Sequence, residues 1–152
     1  MAELKDRLRA DLTTAIKARD ELTTATLRMA LTAVTNAETS GKAAHELTDA
    51  EVLQVLTKEA KKRREAADAF TAAGRAELAD RERAEGTVLD RYLPAQLTEA
   101  EIREIVTAGI AEVGATEMRQ MGAVMKAVQP KVQGRADGKA VSDEVRRQLG
   151  AA

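Results

Sequence analysis

Hydrophobic residues recur every three or four positions along the chain, which is the pattern of amphipathic helices. The first set is Leu4, Leu8, Leu12 and Ile16, and it predicts a helix over residues 3–19. The same periodicity, bounded by capping residues and by glycine or proline, predicts six further helices. They cover residues 24–38, 48–72, 75–92, 98–113 and 116–128, and a last helix follows Asp137. We therefore expect an all-α fold.

Capping residues fix several of these helix starts. Thr48 and Glu51 have the spacing of a capping box, in which each side chain bonds the other's backbone N–H. Leu47 and Val52 flank this box as a hydrophobic staple, and Leu97 to Ile102 repeats the device. The expected N-caps of the second and last helices are Thr23 or Thr24 and Asp137.

The best candidate for a domain boundary is the segment from Leu93 to Gln96. Pro94 ends the fourth helix, and a new helix cap follows within a few residues. A second proline, Pro130, is expected to end the sixth helix, so that residues 130–136 form a loop. These signals predict two multihelical domains: an N-terminal four-helix bundle over residues 1–95 and a small three-helix domain over residues 96–152.

Composition restricts the chemistry of this chain. One Phe and one Tyr, with no Trp and no Cys, leave an aliphatic core and exclude disulfides and cysteine nucleophiles. The 24 basic and 25 acidic residues nearly cancel, which argues against coating nucleic acid through bulk charge. A charged N-terminus and the lack of a long apolar run predict no signal peptide and no membrane span, so a cytoplasmic location is expected.

Candidate catalytic residues are few. Ser40 and Ser142 each lie beside a predicted helix end, where a serine caps a helix, and His45 lies alone in a loop. Neither a GxxxxGK[ST] nor a GxGxxG phosphate loop is present. The sequence thus predicts no catalytic residue, no metal site and no cofactor.

Two basic stretches remain as candidate phosphate sites. In the first, over residues 58–64, lysines and arginines are opposed by Glu59 and by Glu65, which follows the stretch, and pairs such as Lys61 with Glu65 have i,i+4 spacing, which favours a solvated helix face. In the second, over residues 119–139, Asp137 is the only acid. Glycines and a helix N-terminus in this stretch suit a phosphate, although a plain turn and helix cap explain them equally well. The candidate residues are Arg119, Lys126, Lys131, Gly134, Arg135, Gly138 and Lys139.

Four blocks of the sequence resemble the free-standing YqeY proteins of the GatB/YqeY family. The most specific are the Tyr-Leu-Pro-x-Gln-Leu and Gly-Arg-Ala-Asp-Gly-Lys segments. The blocks are residues 27–38, 63–82, 89–97 and 121–145. The resemblance implies a two-domain helical fold whose C-terminal part is similar to the tail of the GatB subunit of tRNA-dependent amidotransferase.

This resemblance implies an accessory tRNA-binding role. A carbon-nitrogen ligase label that uses glutamine as amide donor comes with the family, but the family supplies no established catalytic residue. The implied partners are tRNA and either amidotransferase subunits or an aminoacyl-tRNA synthetase. One alternative is a protein–protein interaction scaffold that does not bind RNA, and another is a small amidotransferase with unrecognised chemistry.

The predicted domain boundary is testable by limited proteolysis. Cleavage between Pro94 and Gln96 should release two fragments that keep their helicity in circular dichroism, because a helix stop and a new cap meet there. Cutting within residues 98–113 while the junction stays intact would show that the boundary is misplaced.

Overall fold

The computed structural model describes residues 3–41 and 43–151, and within them it contains seven α-helices and no strand. The all-α prediction is confirmed. The helices are α1 (Glu3–Lys17), α2 (Glu21–Thr39), α3 (Asp49–Ala72), α4 (Ala76–Asp90), α5 (Glu99–Val113), α6 (Met121–Val132) and α7 (Gly138–Ala151), with a 3-10 turn (Met118–Gln120) before α6.

The chain divides between Leu93 and Pro94 into two compact units. The N-terminal unit contains α1 to α4, and the C-terminal unit contains α5 to α7 with the 3-10 turn. Whether each unit folds as an independent domain stays a prediction for the proteolysis experiment.

The start of α2 differs from the prediction. The helix begins three residues earlier than expected, and Asp20 is its N-cap. Thr23, an expected cap, instead lies buried in the first turn and donates from both its N–H and its hydroxyl to the Asp20 carboxylate, at 3.1 and 2.7 Å. An aspartate is a stronger N-cap than a threonine, so the earlier residue sets the start.

The α3 capping box is confirmed. The N–H of Thr48 donates to Glu51 at 2.8 Å, and the N–H of Glu51 donates to Thr48 Oγ1 at 3.3 Å. Leu47 and Val52 are both buried in the core of this unit. At α5, Thr98 accepts a hydrogen bond from the N–H of Glu101 at 3.1 Å, which is one half of the predicted second capping box. Unlike at α3, no return bond from the Thr98 N–H to Glu101 is formed among the described residues.

The prediction that Pro130 ends the sixth helix was wrong, because α6 continues through it to Val132. A proline deletes one N–H donor, and in the last helical turn this costs a single hydrogen bond. Val132 is buried in the core, which holds that turn in place. Lys131 therefore lies on a helix and not in a loop.

The N-terminal core is aliphatic, as composition predicted. Leu8, Leu27, Val34, Leu56 and Leu89 are fully buried and come from all four helices. Full burial of each Leu or Val side chain contributes about 1.5–3 kcal/mol.

A cluster of partly buried charges joins α3 to α4. The Arg63 guanidinium lies 3.3 Å from a Glu59 oxygen, 3.3 Å from Glu82 and 3.5 Å from Glu85. The Arg63 side chain is only 18% exposed, and the three carboxylates are less so. Its Nε is buried without a hydrogen-bond partner. One arginine of the first basic stretch thus points inward and pairs the two helices.

A second ion pair ties α1 to the end of α2. Lys5 Nζ donates to both oxygens of Glu38, at 2.7 and 2.9 Å, and the N–H of Leu47 donates to Glu38 at 3.1 Å. These bonds, first of all the one from Lys5, lower the pKa of Glu38. The carboxylate therefore fixes the loop that leads into α3.

The C-terminal core consists largely of valines from α5, α6 and α7, among them Val106, Val128 and Val145. Gly109 is buried on α5, and a Cβ placed there would lie 2.5 Å from Cγ1 of Val128. The glycine is therefore required for α5 and α6 to approach this closely.

Replacing Arg63 should show how much the charged cluster stabilises the N-terminal unit. Arg63→Met leaves three poorly exposed carboxylates without their shared cation, and we expect the free energy of unfolding to fall by about 3 kcal/mol. The measurement is urea denaturation followed by circular dichroism. Arg64→Met is the matched control, since Arg64 is exposed and should change stability by less than about 0.5 kcal/mol. Equal midpoints for the two variants would contradict the assignment.

Candidate nucleic-acid interface

The seven predicted site residues all lie in the C-terminal unit but on different elements. Arg119 is on the 3-10 turn, and Lys126 and Lys131 are on α6. Gly134 and Arg135 are in the loop after α6, and Gly138 and Lys139 form the first turn of α7. Lys126 and Lys131 are five residues apart, so they point about 140° from each other around the helix axis. They do not form a single row of positive charge.

Acidic partners from outside the basic stretch reach three of its five cations. Arg119 pairs with Glu117, Lys131 lies 3.9 Å from Glu112 on α5, and Lys139 lies 3.6 Å from Asp143 on α7. Lys126 and Arg135 have no acidic partner within the described residues. Residues 119–139 contain only one acidic residue, but on the folded surface acidic side chains from elsewhere in the chain lie near these cations.

These exposed ion pairs are weak enough to exchange for a phosphate. The Lys131 and Lys139 side chains are 50% and 75% exposed, and both pairs are longer than a hydrogen bond. Exposed pairs of this kind contribute about 0–1 kcal/mol. An RNA phosphate that approached either lysine would displace its carboxylate at little cost.

The loop after α6 is bonded to the segment that begins the C-terminal unit. Gln96 Nε2 donates to the carbonyl of Gly134 at 3.0 Å, and the Leu97 N–H donates to the carbonyl of Arg135 at 2.7 Å. Arg135 Nε donates to the carbonyl of Ala95 at 3.3 Å. The two most specific segments of the family resemblance thus meet here, and Arg135 has a structural role in joining them.

Gly134 serves the geometry of this loop. It is buried and has a φ of +72°, a left-handed conformation that favours glycine. Its burial leaves no room for the close approach of a ligand that the sequence allowed. Gly138, by contrast, is exposed, and a Cβ placed there would meet no atom within 4 Å.

The predicted cap of α7 is confirmed. The Asp137 carboxylate accepts a hydrogen bond from the Lys139 N–H at 3.1 Å. One of the free amides at this helix start is therefore already bound by a negative side chain, which makes the N-terminus itself a weaker phosphate site.

Sequence reasoning did not single out an ordered charge cluster on α7. Glu144 accepts hydrogen bonds from Arg147 at 2.6 and 2.9 Å and from Gln148 at 2.9 Å. These bonds lower the pKa of Glu144 to about 2, and Arg103 on α5 adds a smaller effect. The spacing of three and four residues was the signal that identifies such pairs. Arg147 is thereby committed to an intramolecular partner.

The lysines of the first basic stretch lie on the solvent side of α3, as the sequence favoured. Lys62 lies 3.2 Å from Glu59, and Lys61 lies 3.9 Å from Glu65. Lys58 and Arg64 are exposed and make no ion pair within the described residues.

The other candidate residues form local contacts near helix ends. Ser40 Oγ donates to the carbonyl of Ala37, and Ser142 Oγ donates to that of Lys139, each at 3.1 Å. His45 is more than half exposed and lies 3.8 Å from Glu51. The described residues contain no group of three His, Asp or Glu side chains placed to hold a metal ion, and no helix long and apolar enough to cross a membrane.

The protein is thus all-α and has two compact helical units. The C-terminal unit carries exposed cations near the loop after α6, and that loop is hydrogen-bonded to the first residues of the same unit. The profile of the YqeY-like protein family matches residues 5–149, and the chain belongs to that family. No curated protein matches the chain.

Replacing each of two glycines of the candidate site by alanine tests whether the glycine is needed for the backbone conformation. Gly134→Ala should lower the free energy of unfolding by about 1 kcal/mol or more, because alanine is strained at a positive φ. Gly138→Ala should leave stability unchanged or raise it by up to about 1 kcal/mol, since alanine favours the helix. Thermal unfolding of both variants measures this. Equal losses at the two positions would disprove the role given to Gly134.

Proposed function

We propose that this protein is an accessory tRNA-binding module related to tRNA-dependent amidotransferase, without catalysis of its own. Membership of the YqeY-like family supports the proposal. The likeness of the C-terminal part to the GatB tail, which the family resemblance implies, agrees with it. The structural observation that carries it is the set of exposed lysines Lys126, Lys131 and Lys139, whose acidic contacts are absent or longer than a hydrogen bond.

Such a surface favours recognition of the RNA backbone over the reading of bases. Phe70 and Tyr92 are the only aromatic side chains in the chain, and both precede the C-terminal unit. Single-stranded RNA is usually read by stacking bases on aromatic rings. Contacts between lysines and phosphates would instead recognise the shape of a folded RNA, and the affinity would fall steeply with salt.

Lys126 is the cleanest position for a test of this surface. It is exposed on α6 and makes no ion pair within the described residues, so its replacement disturbs no ion pair there. Arg135 is a poorer choice because its bond to Ala95 holds the loop, and its replacement would change the structure as well as the charge.

The test is a binding titration with total tRNA at several salt concentrations. Lys126→Ala with Lys131→Ala should weaken binding throughout and flatten the slope of log affinity against log salt. The expected change is about one unit for each phosphate that the variant no longer binds, a scale taken from duplex DNA. Helicity should not change, since both lysines are exposed on a helix in which alanine is favourable.

The α3 helix offers a matched control. Lys58 is exposed and makes no ion pair within the described residues, like Lys126, and Lys61 has a glutamate at 3.9 Å, like Lys131. Lys58→Ala with Lys61→Ala therefore removes the same charge and should leave tRNA binding nearly unchanged. If only the α3 variant fails to bind, the interface lies on that helix.

A pull-down from cell extract distinguishes the alternative function. Enrichment of tRNA, with amidotransferase subunits or an aminoacyl-tRNA synthetase, agrees with the proposal. Protein partners that persist after RNase treatment, with no tRNA bound by the purified chain, would instead identify a protein–protein interaction scaffold.

A further inference from the structure

A pocket of about 300 Å³ lies in the N-terminal unit where α1 turns into α2. Its walls come from one face of α1, the turn between α1 and α2, the first turn of α2 and the segment that follows α4. The charged side chains around it are Arg7, Asp11, Asp20 and Arg91. The volume is at the lower end of the range for small-molecule sites, about 300–1,000 Å³.

Tyr92 organises one wall of this pocket. Its hydroxyl donates to Asp11 Oδ2 at 2.6 Å, and the Arg7 guanidinium lies 4.6 Å from the centre of its ring. Arg7 also donates to the backbone carbonyl of Arg91 at 3.4 Å. Burial and the Asp11 hydrogen bond raise the pKa of Tyr92, so the hydroxyl stays a neutral donor. Arg7 and Oδ2 of Asp11 therefore already have partners within the protein.

Two other polar groups of the pocket form no hydrogen bond with the described residues. The Arg91 guanidinium makes no hydrogen bond and no ion pair, and Oδ1 of Asp11 has no hydrogen-bond partner. Asp20 differs, because both of its oxygens accept bonds from Thr23. A planar guanidinium binds a carboxylate through two parallel hydrogen bonds, and a carboxylate oxygen accepts from an ammonium group.

We propose that this pocket binds a small zwitterion of the α-amino-acid type. Its carboxylate bonds the free Arg91 guanidinium, and its ammonium group bonds Oδ1 of Asp11 with Asp20 nearby. The charges of the two arginines and the two aspartates cancel, so a bound zwitterion keeps the site neutral. A simple anion or cation would leave one charge uncompensated. Ala15 and Ala18 give an apolar surface that fits a short side chain. The site is in the N-terminal unit and does not depend on the tRNA proposal.

The binding test uses the ¹⁵N-labelled full-length chain, followed by NMR. Glycine and L-alanine should each produce saturable shifts in the amide signals of Ala15, Ala18 and Tyr92. Acetate and methylammonium carry one half of the zwitterion each and should bind about tenfold more weakly or worse, because each lacks one of the two charge-assisted hydrogen-bonding groups. Acetate that binds as tightly as glycine would show a simple anion site and overturn the proposal, as would the absence of saturable shifts with either amino acid.

Two variants test the assigned contacts. Arg91→Gln and Asp11→Asn should each weaken glycine binding about tenfold or more. Asparagine keeps an oxygen that accepts the Tyr92 hydroxyl, so the wall of the pocket is preserved in the second variant. Arg28→Gln on α2 and Asp68→Asn on α3 remove the same charges at exposed positions outside the pocket and should bind glycine normally. Normal binding by both pocket variants would overturn the assignment.

Discussion

The cores of the two units are made largely of leucine, valine and alanine, and this constraint shapes the rest of each unit. Small side chains let helices approach closely, as Gly109 and Val128 show on α5 and α6. They also leave helix register weakly specified, because similar side chains interchange along a packed face. Directional polar contacts then decide which residues face each other. Arg63 between α3 and α4 is the strongest case, since three carboxylates share one guanidinium there.

The blocks that carry the family resemblance coincide with such contacts. Glu38 bonds Lys5, Arg63 bonds Glu82, and Tyr92 bonds Asp11, all between different helices or their ends. In the C-terminal unit, Gln96 and Leu97 bond the loop at Gly134 and Arg135. Several residues of these blocks therefore stabilise the packing of the helices. Lys126, Lys131 and Lys139 lie in the last of these blocks but are exposed and take no part in these contacts.

The two proposed sites use charge differently. On α6 and α7, lysines extend into solvent with distant or absent acidic partners, which suits salt-dependent contacts with the phosphates of a folded RNA. In the pocket beside Tyr92, charges of both signs are held by stacking and by a hydroxyl–carboxylate bond, which suits a small ligand of fixed geometry. One site is a surface and the other a cavity, and each is tested without the other.

Local sequence signals determined most of the helices. The all-α class, the capping box at Thr48 and Glu51 and the cap at Asp137 follow from residues close together in the chain, because those residues are neighbours on a helix or at its start. One boundary was misplaced for a local reason, because Asp20 competed with the threonines as the cap of α2. Another depended on tertiary packing, since the buried Val132 keeps α6 helical past Pro130.

Only the tertiary structure decided which charges are free. Glu112 reaches Lys131 from another helix, and Arg63 turns inward to meet Glu82, nineteen residues further along the chain. The pairing of Asp11 with Tyr92 spans 81 positions. Helical periodicity assigns a side chain to a face but does not say which other helix covers that face. The partner of a charged group, and so its availability to RNA or to a small ligand, is therefore a property of the packed helices.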